Sequence, residues 1–172
     1  MKQLILMRHA KSSWDDLGAR DFDRDLNERG CRDAPEMGHR LAARGLNPDA
    51  LVISSSQRTR TTAALIAEPL GLSAESIELR DELYLASPST MMQLIRHTPD
   101  HVQTLAILAH NPGITELANQ LAKTDIGNVP TCGVVILEMA IESWSEAGGG
   151  RLLDFDYPKR LLSDADTLQQ ES

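Results

Sequence analysis

Three short apolar runs punctuate the chain, and each stops abruptly at polar residues. Residues 3–7 (QLILM) precede Arg8-His9, residues 50–53 (ALVI) precede Ser54-Ser55-Ser56, and residues 104–109 (TLAILA) precede His110. Runs of this length without polar alternation fit strands buried on both faces. The segments between them read as helices. Asn27 stands at a cap position for a helix through Gly45, with Cys31, Ala34, Met37 and Leu41 on one face. Pro35 removes a ladder donor there and predicts a kink or a late start. A second helix is expected over 57–68, stopped near Pro69 and Gly71. Ser87-Pro88 supplies a cap and a first-turn proline for a helix through His97, and Asn111-Pro112 repeats that start for a helix over 113–123. Residues 77–79, 133–139 and 151–155 complete the strands, the last at an edge beyond a glycine-rich turn. Strands alternating with helices predict an α/β fold, a three-layer αβα sandwich with a mostly parallel central sheet.

At 172 residues the chain is long enough for one domain with a core that needs no disulfide or metal. Aromatic residues make up only 3% of it, so that core must be built from Leu, Ile, Val, Ala and Met. A single domain over 1–160 is expected, with a polar tail over 161–172 that frays from Pro158 onward. The net charge of −8 argues against nucleic acid or an anionic membrane surface as partner. A phosphate site would have to be a local basic pocket on an acidic surface. Cys31 and Cys132 are far apart and form no metal-binding spacing, which fits reduced thiols. No apolar run reaches the length of a signal-peptide core or a membrane span, so a cytoplasmic protein is expected.

The residues at the strand ends carry the chemistry. In open α/β sheets the crevice at the carboxyl ends of the strands holds the ligand. Arg8, His9 and His110 stand there, and Arg58 follows the second strand by a few residues. If the strands are parallel neighbours, the four side chains converge. Helix starts nearby favour an anion, an arginine fork suits phosphate, and a neutral histidine is a nucleophile. Taken alone, Arg8-His9 also fits a strand ending in two solvated polar residues. The residues 10–26 form a long polar loop with Arg20, Arg24, Asp15, Asp16, Asp21, Asp23 and Asp25, and loops of that length are usually functional.

In these motifs the chain resembles the histidine phosphatase superfamily, with its phosphoglycerate-mutase-like fold, and within it the small SixA-type phosphohistidine phosphatases. Arg8-His9-Ala10 matches the family's Arg-His-Gly, with alanine third. Ser54 through Ala63, centred on Arg58, matches its second arginine pattern, and Ala109-His110-Asn111-Pro112 its second histidine. Weaker echoes are Asp25-Leu26-Asn27-Glu28-Arg29-Gly30, Leu83-Tyr84-Leu85-Ala86 and Val129-Pro130-Thr131.

The resemblance implies a metal-independent phosphatase without cofactor. His9 is the nucleophile that becomes a phosphohistidine, and Arg8, Arg58 and His110 hold the phosphoryl oxygens. Glu82 falls roughly where larger relatives place a proton donor, and otherwise reads as a solvated acid after a strand. Arg24 and Lys11 lie in the loop that would overhang the site, where each meets either solvent or the substrate. The mutase motif carries an asparagine where this chain has Asp15, and the insertions that shape mutase specificity are missing, which disfavours mutase activity. The expected substrate is phosphohistidine on a protein of the phosphotransfer type, and the enzyme is expected to act as a monomer. The alternatives are a small phosphomonoester or nucleotide-derived metabolite, and a non-catalytic phosphate-binding module.

Overall fold

In the computed structural model, which describes residues 1–160, six strands form one sheet in the order β3-β2-β4-β1-β5-β6. They are β1 (Lys2–Arg8), β2 (Ala50–Ser54), β3 (Ile77–Arg80), β4 (Thr104–Ala109), β5 (Val134–Met139) and β6 (Arg151–Asp156). The helices are α1 (Glu28–Ala43), α2 (Gln57–Leu70), α3 (Pro88–Arg96) and α4 (Gly113–Ala122). Alternate residues of β1 feed two separate cores. Leu4 and Leu6 pack with Met91 and Ile95 of α3 and with Ile114, Leu117 and Leu121 of α4. Ile5 and Met7 pack on the other face with Ala34, Met37 and Leu41 of α1 and with Ala63, Ile66 and Leu70 of α2. Each fully buried leucine or isoleucine side chain contributes about 1.5–3 kcal/mol. The expected three-layer sandwich follows from a central sheet that is apolar on both faces.

β2, β4 and β1 are parallel neighbours, as the convergence of the strand ends requires. β3 is parallel to β2, whereas β5 and β6 run antiparallel. The reason lies in residues 123–133. They carry the chain back to the carboxyl end of β1, where the Cys132 amide donates to the His9 carbonyl (2.9 Å). β5 therefore starts opposite Met7 and ends opposite Lys2.

Two helix starts differ from expectation. α1 begins at Glu28 and runs through Pro35 without a late start. Its first turn is fixed by Asn27, whose Oδ1 accepts from the Gly30 amide (2.9 Å), and burial of Ala34, Met37 and Leu41 offsets the lost ladder bond. At α4 the cap position is Pro112 rather than Asn111, and the Asn111–Pro112 bond is cis. Asn111 still serves the first turn, since Oδ1 accepts from the Thr115 amide (3.2 Å) and hydroxyl (2.8 Å). Ser87 caps α3 through the Thr90 amide (3.3 Å), with Pro88 at the first position, and Gly71 closes α2 with φ +66°. Pro158 and Arg160 still contact the body of the fold, the Pro158 carbonyl accepting from Arg40 Nη2 (3.2 Å). Arg160 Nη1 donates to Asp154 (2.8 Å) and to the Phe155 carbonyl (3.0 Å). The polar tail expected over 161–172 lies outside the described residues. Among those described, no helix is long and apolar enough to cross a membrane.

Candidate active site

The site is built where β1 and β4 end side by side. The His9 amide donates to the Ala109 carbonyl (3.2 Å), its carbonyl accepts from Cys132, and the next amide, of Ala10, donates to Thr62 Oγ1 (3.0 Å). The nucleophile candidate thus has its backbone held by β4, by the loop before β5 and by α2. His9 Nδ1 lies 2.7 Å from the Ala10 carbonyl. A carbonyl only accepts, so Nδ1 carries the proton and Nε2 keeps its lone pair. Burial, with smaller contributions from His110, Arg58 and Arg8, lowers the His9 pKa to about 3. The ring is neutral at physiological pH.

His110 faces His9 with ring centroids 5.2 Å apart. Its Nε2 donates to Ser54 Oγ (2.8 Å), while Nδ1 accepts from Arg58 Nη2 (3.3 Å). Burial first, and then Arg58, lowers the His110 pKa to about 4. Arg58 sits in the first turn of α2, 3% exposed. Arg8 Nη1 donates to the Val129 carbonyl (3.1 Å), which also accepts from Asn111 Nδ2 (2.9 Å). The Nε of Arg8 and the Nε of Arg58 are buried without a hydrogen-bond partner. An unsatisfied buried donor costs about 1–3 kcal/mol, and more when it belongs to a charged group. An anion between the two arginines would satisfy both.

A cavity of about 300 Å³ opens over these groups, lined by Arg8, His9, Arg58 and His110 together with Lys11, Ser12, Trp14, Arg24, Leu85, Asn111 and Thr131. Arg24 and Lys11 therefore lie in the same cavity as His9. Arg24 is fixed there by Ser12 Oγ (2.8 Å) and by stacking under Trp14, 3.6 Å from the ring centroid. The structure does not bring Glu82 to this cavity. Glu82 pairs with Arg80 at 2.7 Å and lines a separate cleft with Glu78, Thr90 and His97. Its bond to Arg80 holds the carboxyl below the usual range. Asp15 is exposed and does not line the cavity, so it places no charge against a bound phosphate. Among the described residues no group of three His, Cys, Asp or Glu side chains is placed to hold a metal ion.

Sequence reasoning missed Asp21, Tyr84 and Ser54 as parts of the site. Asp21 binds Arg58, and the Tyr84 hydroxyl donates to Asp21. Tyr84 lies within a stretch that matches the family only weakly, and nothing local marks its partner 63 residues earlier.

The family model of the histidine phosphatase superfamily (branch 1) matches residues 4–103. The chain belongs to this superfamily. It is 34% identical over 165 residues to an uncharacterized protein of Mycobacterium tuberculosis, Rv1276c, with 89% of this chain and all of that protein covered. Its structure is similar to that of SixA from Agrobacterium tumefaciens, with TM-score 0.80, 29% identity and coverage of 91% of this chain and 98% of the other. It shares the fold of the protein histidine phosphatase SixA complexed with tungstate, with TM-score 0.78, 21% identity and coverage of 91% and 97%. Arg8, His9, Arg58 and His110, whose motifs carry the resemblance, line one cavity at the ends of the parallel strands.

Proposed function

We propose that the protein is a metal-independent phosphatase that works through a phosphohistidine on His9 and removes phosphate from phosphohistidine on a protein. The observation that carries this reading is the lining of the cavity, which combines cationic, hydroxyl, amide and apolar side chains with no carboxyl group. Breaking a phosphoester requires a proton for a poor alkoxide leaving group, and a positioned acid normally gives it. An imidazole needs no such donor, because it arrives protonated on its second nitrogen and departs neutral. The mouth adds support, since Trp14 and Leu85, 67% and 57% exposed, border the cavity that holds the buried His9. Exposed apolar groups at a mouth suit contact with another protein.

In the first step His9 Nε2 forms the N–P bond as the bond from phosphorus to the substrate nitrogen breaks. The positive charge that develops in the His9 ring is met by the Ala10 carbonyl at Nδ1–H. Arg8 and Arg58 hold the non-bridging oxygens while charge redistributes, and His110 braces Arg58 by accepting from its Nη2. Water then attacks phosphorus, the N–P bond breaks, and inorganic phosphate leaves with the water's protons. Nε2 recovers its lone pair. A non-catalytic phosphate binder would have no use for an unprotonated Nε2 held in this way.

Lys11 and Arg24 favour a second reading, a small phosphomonoester whose second anionic group meets these cations. Turnover of a phosphohistidine phosphotransfer protein, compared with a panel of small phosphomonoesters, decides between the two. Faster turnover of any alkyl phosphate than of the phosphohistidine protein would establish the metabolite reading.

A further inference from the structure

Asp21 is bound like a ligand of the site, although it does not line the cavity. Arg58 Nη1 donates to its backbone carbonyl (2.6 Å) and Nη2 to its Oδ2 (3.0 Å). The same Oδ2 accepts from the Tyr84 hydroxyl, and Oδ1 accepts from Arg24 Nε (3.2 Å) and Nη2 (3.0 Å). Tyr84 is placed in turn between two rings, edge-on to His110 (5.4 Å) and to Phe22 (5.1 Å). Partial burial opposes ionisation of Asp21, but the bonds from Tyr84, Arg24 and Arg58 prevail and hold its carboxyl well below the usual range. It is a carboxylate at any working pH and does not serve as a proton donor.

A guanidinium is a rigid planar fork. Fixing both terminal nitrogens of Arg58 fixes its plane, and with it the direction of the buried, unpartnered Nε–H. We propose that Asp21 is a positioning residue for the phosphoryl clamp: its carboxylate and carbonyl, anchored by Tyr84 and Arg24, hold Arg58 in the plane that presents Nε–H to the transferring group. This rests on the reading of Arg58 as a clamp. Asp21 also ties the 10–26 loop to catalysis, since Arg24 joins it to Ser12, Ser13 and Trp14 at the cavity mouth.

A residue that acts only through Arg58 loses its effect when Arg58 is gone, which a double-mutant cycle measures. The full chain is compared as wild type, Asp21→Ala, Arg58→Ala and the double variant. Turnover is followed with N-phosphoimidazole, and inorganic phosphate affinity by calorimetry gives the same cycle without turnover. Asp21→Ala is expected to lower kcat by about 10- to 100-fold, the scale of an ångström-level misplacement. In the Arg58→Ala background its effect on either readout should fall within about twofold. Tyr84→Phe should show a smaller loss in the same direction. If Asp21→Ala does not fold, the cycle with Asp21→Asn decides. A merely structural role would lower turnover equally in both backgrounds, and that result overturns the proposal. Turnover of Asp21→Ala at or above wild type also overturns it, the latter making Asp21 a plug on Arg58. Should Arg58→Ala itself turn over at the wild-type rate, the clamp reading falls and the proposal falls with it.

Discussion

His110 Nε2 donates to Ser54 Oγ over 2.8 Å, while its Nδ1 accepts from Arg58. Both ring nitrogens are thereby assigned, and the ring is neutral. His9 and His110 have pKa values lowered to about 3 and about 4, chiefly by burial. An unfolded histidine titrates near 6.5. Between those values the unfolded chain binds more protons than the folded one, so stability falls as pH drops below about 6.5. The wild-type thermal midpoint should drop between about pH 7.5 and about pH 5. The drop should be smaller in His110→Gln and in His9→Gln. Identical drops in all three would contradict buried neutral rings.

Arg8→Ala and Arg58→Ala should each lose turnover on the order of the 10³–10⁵ seen when a transition-state arginine is removed. The positive charge comes from the two guanidiniums, so preincubation with EDTA should leave turnover unchanged. Inhibition by EDTA that a divalent ion reverses would contradict the clamp.

The strand ends were legible in the sequence because burial on both faces leaves a continuous apolar run, and the run stops where the crevice starts. That rule located Arg8, His9 and His110, and the pattern around Arg58 located the fourth member. It did not reveal that β5 runs antiparallel, because its apolar residues read the same in either direction. The direction is set by the 123–133 loop, whose Val129 carbonyl is held by Arg8 and Asn111. Nor did it reveal Asp21. A loop rich in aspartates offers several carboxylates, and only folding shows which one meets Arg58 and Tyr84.

Glu82 occupied a plausible position in the sequence for a proton donor, but its partner is Arg80 and its cleft is a different one. Glu82→Gln is expected to leave turnover of phosphohistidine and of phosphoester substrates within about twofold of wild type, as for an ordinary surface change. A loss confined to phosphoesters, measured in parallel assays, would restore Glu82 as the acid.

Gly113 opens α4 against the segment that carries Tyr84 and Leu85. A Cβ there would lie 2.1 Å from the Ala86 carbonyl oxygen and 2.8 Å from Met91 Cε. The first contact is with backbone, which cannot swing aside. Gly113→Ala should destabilise the fold by about 1–3 kcal/mol, the scale of overpacking, as read by denaturant unfolding. Wild-type stability would show that the Leu85–Ala86 backbone yields freely.

His9 is expected to take the phosphoryl group on Nε2, because Nδ1–H is committed to the Ala10 carbonyl. Rapid quenching during turnover of a ³²P-labelled substrate, followed by base digestion and separation of the phosphohistidine isomers, tests this directly. An acid-labile, base-stable label on His9 at Nε2 is expected, with no label in His9→Ala, which should still fold. Label at Nδ1, label on another residue, or wild-type turnover by His9→Ala would contradict it.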